Sequence, residues 1–188
     1  MTNSFSNIAF TPVVKTLQRQ YGSREKYVAM EKSADQTAEL TQREVDFIEA
    51  RDSFYQATVS ETGWPYVQHR GGPVGFLKVL DNRTIAFADF RGNQQYISAG
   101  NLLSNDRIAI IMVDYVNQRR LKLLAHASVV QAADEPQLLS RLSDPSYPAG
   151  VERCFILSVA AWDWNCSRHI TPRLNEHEIK SVMEQIQL

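Results

Sequence analysis

Between residues 54 and 164 the sequence breaks into short β-type runs separated by turn signals, and no other feature narrows the fold as much. FYQATVS (54–60) reaches a turn at Glu61-Thr62-Gly63, and Tyr66-Val67-Gln68-His69 resumes before two glycines. GFLKVLD (75–81) and TIAFADF (84–90) flank Asp81-Asn82-Arg83, which reads as a tight hairpin. IAIIMVDY (108–115), RRLKLLAHASVVQ (119–131) and FILSVAAWDW (155–164) complete the series. Around six strands, several joined by hairpins, predict an antiparallel sheet closing into a barrel. The continuous apolar run 108–113 predicts a strand buried on both faces.

Helical periodicity surrounds this core. Val13, Val14, Leu17 and Tyr21 share one helical face before Gly22, and Ser23 is placed to cap a second helix through Met30. Thr41 and Glu44 have the spacing of a capping box, with Val45 and Ile48 on the apolar face. Further helices are predicted at about 94–104 and 135–142. At the carboxy end Asn175 stands as a cap before a stripe of Ile179, Val182, Met183 and Ile186. The expected class is α+β, mainly β, with a helical extension over 1–40 and a barrel domain with a terminal helix over 41–188.

Bulk properties exclude several functions. A formal net charge of -1 carries no nucleic-acid footprint. No apolar stretch approaches the ~20 residues of a membrane-spanning helix. The first residues lack the basic start and apolar run of a signal peptide, and two cysteines read as thiols rather than a disulfide framework. The expectation is a cytoplasmic protein with neither membrane nor nucleic acid as partner. Cys166 and His169 have a C-x-x-H spacing, but the sequence offers no recognisable second ligand pair, so no metal site is expected.

Four segments are able to carry chemistry. In His69-Arg70-Gly71-Gly72-Pro73-Val74-Gly75-Phe76-Leu77-Lys78, little side-chain bulk stands between two cations, Arg70 and Lys78. The stretch is either a bare surface for a flat ligand or a bulge turning a barrel corner. In Asp89-Phe90-Arg91-Gly92-Asn93-Gln94-Gln95-Tyr96, a strand end runs into a helix start, with Asn93 as the expected N-cap. Unpaired N–H groups there suit a phosphate, although most capped helices bind nothing. On the strand from Arg119, Arg120, Lys122, Leu124 and His126 share one face, opposite Leu121, Leu123, Ala125 and Ala127. That basic face is either solvated or meets the ligand of a partner subunit. Trp162 and Trp164 wall an aromatic pocket or simply pack.

The order of these segments resembles the pyridoxamine 5'-phosphate oxidase superfamily. The strings RGGPVGFLKVLD, FADFRGNQQYISAGNL, RRLKLLAHA and AWDWNCSRHITPR are similar to its flavin-nucleotide-binding branch, over about residues 40–175. The resemblance implies a six-stranded antiparallel Greek-key split barrel and a homodimer with FMN between the subunits. It places Arg70, Gly71, Gly72, Pro73 and Lys78 near the ring or ribityl chain, and Asp89, Arg91, Asn93, Gln94 and Gln95 around the phosphate turn. Arg120 and Trp164 would come from the second chain, Lys122 shares the basic face of Arg120, and Trp164 and Arg173 loosely match the family's carboxy-terminal tryptophan and arginine. Oxidases of the family carry a basic pair where this chain has Gln94-Gln95, so Arg91, Arg70 or Lys78 would supply the missing charge. The family's carboxy-terminal Arg-Leu-His-Asp type signature is absent, which argues against pyridoxamine-phosphate oxidation itself. The implied activity is FMN-dependent oxidoreduction of a small molecule. Flavin storage or sensing is an alternative, and haem handling, with His69, His126 or His169 as axial ligand, is another.

Overall fold

The computed structural model describes residues 5–32, 38–176, 179–180 and 183–184. Seven strands form one antiparallel sheet: β1 (Ser53–Val59), β2 (Pro65–Gly71), β3 (Leu77–Asp81), β4 (Thr84–Phe90), β5 (Arg107–Asp114), β6 (Arg119–Gln131) and β7 (Val151–Asn165). Their spatial order is β2-β1-β5-β6-β7-β4-β3, so β2 and β3 are the two edges and the sheet is not closed by backbone pairing. This corrects the expected six-stranded closed barrel. Each β-type run forms its own strand, because the link Gly72–Phe76 separates β2 from β3. Within that link Gly75 holds φ +78, a left-handed conformation that suits a residue without Cβ.

The same link forces the sheet to curl. Six gaps of ~4.8 Å would put the edges of a flat seven-stranded sheet about 29 Å apart. The chain from Gly71 to Leu77 spans at most about 21 Å when fully extended. The edges must therefore approach one another, and side chains join what the backbone leaves open. Arg70 of β2 forms an ion pair with Asp89 of β4, across four intervening strands in the sheet order. Arg153 of β7 donates from Nε and Nη2 to the other Asp89 oxygen at 2.8 and 2.7 Å. Beside this clamp an aromatic core crosses the interior: Phe54 packs on Phe76 and Phe87, and Phe87 stacks on Phe155 with centroids 4.9 Å apart. Gly72 is confined by the same packing, since a Cβ there would lie 2.8 Å from Phe76 Cγ.

Among the described residues, six α-helices flank the sheet: α1 (Phe5–Ala9), α2 (Pro12–Gln20), α3 (Arg24–Lys32), α4 (Gln42–Glu49), α5 (Ile97–Ser104) and α6 (Pro136–Leu142). The expected capping box opens α4, where Glu44 accepts from Thr41 N at 3.1 Å. Two indoles of β7 seat this helix: Trp164 Nε1 donates to Glu44 at 2.6 Å and Trp162 Nε1 to Glu39 O at 3.1 Å. α1 lies on the outer sheet face, with Phe5 under Lys122. The expected apolar face of α2 points largely outward through Val13, Leu17 and Tyr21. Most of the expected carboxy-terminal helix, including Glu178, Val182 and Ile186, lies outside the described residues. No described helix is long and apolar enough to cross a membrane.

β5 departs from its expected double burial. Ile108, Ile110 and Met112 are buried, whereas Ala109, Ile111 and Val113 remain half-open on the outer face. The β5–β6 turn is pinned through buried Asp114, which accepts from Asn117 N at 3.0 Å and Nδ2 at 2.9 Å. Burial pushes this carboxyl up, but the Asn117 hydrogen bonds and the nearby Arg51 and Arg119 outweigh it and hold the pKa below the usual value.

Two substitutions test this account. Asp89→Ala leaves Arg70 without its carboxylate and Arg153 with Glu152 alone, and is expected to cost about 3–5 kcal/mol, read from urea unfolding at neutral pH. Asp114→Asn is expected to cost about 1–3 kcal/mol at pH 7. Because the folded pKa is lowered, the Asp114 contribution is present above the unfolded value of ~3.9 and is lost as pH falls through the folded one. The two proteins should therefore converge in urea titrations carried out at acid pH.

Candidate functional site

Period two along β2 turns Tyr66, Gln68 and Arg70 inward and leaves Pro65, Val67 and His69 exposed. Opposite this inner row stand the end of β4, the turn 91–96, the first turn of α5 and the start of β7. Together they enclose a cleft of about 190 Å³ whose walls include Gln68, Arg70, Asp89, Gln95, Tyr96 and Arg153. Ser98 Oγ donates to Gln68 Oε1 at 2.7 Å and ties α5 to β2 across the cleft.

The turn is built differently from the expectation. Asn93 is not the N-cap of the helix; it accepts from Gln95 N at 3.2 Å and closes a local turn. Gln94 and Tyr96 both adopt left-handed backbone, with φ 60 and 55, so helical geometry cannot begin until Ile97. Gly100 N donates to Tyr96 O as the first intrahelical bond, and the N–H groups before it have no acceptor within the helix.

Electrostatically the cleft is a chain of alternating charges. Asp89 joins Arg70 to Arg153, and Arg153 Nη2 also donates to Glu152 at 2.8 Å. Burial disfavours the Arg153 charge, but Asp89 and Glu152 more than restore it, so its pKa lies above the usual value. Arg153 also lies over the Tyr96 ring, 4.6 Å from its centroid. Arg70 packs over Phe155, and its buried Nε has no hydrogen-bond partner. Arg91 is 68% exposed and only loosely held, 3.7 Å from Glu152. With its amide oxygen turned inward, Gln94 accepts from Arg91 Nε and Nη2 at 3.0 Å each.

The structure thus brings Arg70, Asp89, Asn93, Gln94 and Gln95 to one cleft; Arg91 is not in its lining but lies beside the lining residues Glu152 and Gln94. It places the other expected residues elsewhere. Gly71 pairs with Ser53, and Gly72 N donates to Asp52 O at 2.9 Å, so the glycine–proline stretch with Pro73 turns the barrel corner. Lys78 pairs with Ala86 on β3, outside the cleft lining. Arg120 and Lys122 lie on the outer face of β6, where Lys122 meets Asp163 at 3.6 Å and the buried Nε of Arg120 has no partner. Trp164 packs against Phe47 and is engaged by Glu44. Arg173 lies over Tyr115. Of the histidines named above, His69 meets Tyr55 edge-on, His126 pairs with Asp106 at 2.9 Å and exposed His169 holds φ 65; none lines the cleft.

Sequence reasoning missed Arg153 and Glu152. Val151-Glu152-Arg153 precedes the apolar run at 155, and a basic residue there signals nothing until Asp89 is known to face it across the β4–β7 pairing.

Comparison with known proteins follows this geometry. Residues 40–154 match the family described as pyridoxamine 5'-phosphate oxidase. Among solved structures, a single-residue variant of HupZ from Group A Streptococcus is similar, with a TM-score of 0.50 and 19% identity, over 66% of this chain and 98% of that one. An FMN-binding protein from Syntrophomonas wolfei subsp. wolfei is similar with a TM-score of 0.50 and 14% identity, over 79% of this chain and 97% of that one. At these identities the likeness is one of fold. No match is found among the curated proteins.

Proposed function

Since the chain belongs to the pyridoxamine 5'-phosphate oxidase family, we propose that it binds FMN, with the phosphate at the turn 91–96 and the start of α5, and serves as an oxidoreductase of a small molecule. The observation that carries this reading is the cleft between β2 and that turn. Helix N–H groups without helical acceptors stand at a space suited to an anion, with the exposed Arg91 guanidinium beside it. Gly92 adds to the fit, since among the described residues a Cβ there would meet nothing nearer than Phe90 O at 4.0 Å, so the backbone is open to approach.

At about 190 Å³ the cleft falls below the ~300–1,000 Å³ of most small-molecule sites, so it suits the phosphate end and not the tricyclic ring. The ring therefore needs a second surface, and the reading extends to a homodimer. Tyr55, Val67, Ile111 and Leu124 leave the outer face of β2-β1-β5-β6 apolar and at least partly open, and Arg120 stands on the same face. From a partner chain, Arg120 and Lys122 would bring cationic donors to the ring.

When bound, FMN supplies the hydride-accepting chemistry, and the chain's own residues bind and orient it. Arg91 provides the charge that Gln94-Gln95 lacks, and Gln94 aims it. Asp89 fixes the Arg70 and Arg153 side chains so that the wall of the cleft keeps its shape. Pyridoxamine phosphate is not the substrate this reading favours, because the basic turn and the carboxy-terminal signature of those oxidases are both replaced.

The test is an absorption spectrum of the protein after loading with FMN and removing the excess. The expected result is a flavin band at about one FMN per chain, which NADH or NADPH bleaches. Arg91→Ala should weaken FMN binding by about tenfold or more, the size of one lost charge-assisted contact, and Gln94→Arg should strengthen it. A protein that retains no FMN would overturn the cofactor reading. One that retains FMN but is reduced only sluggishly would point to storage or sensing.

A further inference from the structure

A second pocket, of about 600 Å³, opens beside the turn from β5 to β6 and shares no lining residue with the cleft. Tyr115 lies in its wall, and the Arg173 guanidinium lies over that ring, 5.1 Å from the centroid. Among the described residues Arg173 makes no ion pair with a carboxylate. Around it stand three aliphatic side chains that a folded chain ordinarily covers: Val74, Val116 and Leu174, 70%, 39% and 49% exposed.

The remaining charges do not occupy Arg173. Asp114 is held by Asn117 and lies near Arg51 and Arg119, at 3.6 and 3.7 Å. Asp52 accepts from Ser53 Oγ at 2.8 Å. The guanidiniums of Arg51 and Arg119 both stand near the Asp114 carboxylate. Burial, with Tyr55 nearby, pushes the Tyr115 hydroxyl above its usual pKa.

We infer that this pocket binds a small organic monocarboxylate with an apolar body. A guanidinium stacked on a phenol ring keeps its edge N–H groups free, and that planar fork matches a carboxylate in bidentate fashion. Val74, Val116 and Leu174 offer the apolar contact that an inorganic anion would leave unused. The ligand class follows from the pairing: the head needs a charge, and the body needs carbon. The site is independent of the FMN reading.

The test is calorimetric titration of the full chain with benzoate as probe, with acetate and benzyl alcohol as controls. The first control keeps the charge without the body, and the second keeps the body without the charge. Benzoate is expected to bind at one per chain, with both controls at least about tenfold weaker, the effect of one charge-assisted contact or one apolar face. Arg173→Gln should weaken benzoate by a similar factor while leaving the urea midpoint unchanged. Tyr115→Leu, which removes the ring beneath the guanidinium, should weaken it as well. Absence of benzoate binding at millimolar concentration overturns the inference. So does benzyl alcohol binding as well as benzoate, or Arg173→Gln binding as wild type does. FMN content of the same samples reports on the cleft alone, so a flavin-free protein that binds benzoate defeats the FMN reading and leaves this one standing.

Discussion

Asp89 is the point on which the architecture turns. A seven-stranded sheet whose two edge strands are joined by a five-residue link must curl, yet curling brings no new backbone pairing between those edges. The gap is spanned by side chains, and the shortest span runs from β2 through Asp89 to β7. One carboxylate offers two oxygens, one to each arginine; without it Arg70 loses its carboxylate partner and Arg153 keeps only Glu152. The aromatic row from Phe54 to Phe155 fills the volume that this closure defines. The cleft exists because the closure is made of side chains at one end and leaves room beside them.

Much of the architecture was legible in the chain. Alternation marked the inner and outer faces of β6 correctly, since Leu121, Leu123, Ala125 and Ala127 are buried and Arg120, Lys122, Leu124 and His126 are not. The Thr41–Glu44 spacing marked the start of α4 because a capping box depends only on neighbours in sequence. What alternation cannot show is which strand lies beside which. The separation of β2 from β3 by the whole width of the sheet is a long-range outcome, and so is the half-open outer face of β5. A run of apolar residues states that contacts are wanted without stating that a single chain provides them.

The candidate site divides in the same way. Gly92, Asn93 and the glutamines were recognisable because turn chemistry is local. Their geometry was misjudged by three residues, because left-handed backbone at Gln94 and Tyr96 has no marker in residues that ordinarily avoid it. Arg153 had no local marker at all. Its role arises only where β7 runs antiparallel to β4 and sets Arg153 opposite Asp89. The bare stretch Gly71–Pro73 drew attention for its lack of bulk, and the structure sets Phe76 against Gly72 there.

The looseness of the turn 91–96 has a consequence for how a lineage built on this scaffold can change. Residues that hold the barrel together, Asp89 and Gly72 among them, are buried or hemmed in, and substitution there is paid in folding. Arg91, Asn93, Gln94 and Gln95 stand on the surface and touch mainly one another. On the proposed reading, ligand grip and fold integrity therefore rest on separate sets of positions. Exchange of a single exposed side chain can retune which anion is held, and how tightly, while the barrel beneath inherits no new strain. Divergence in ligand affinity between otherwise similar scaffolds is then the outcome that drift alone would produce.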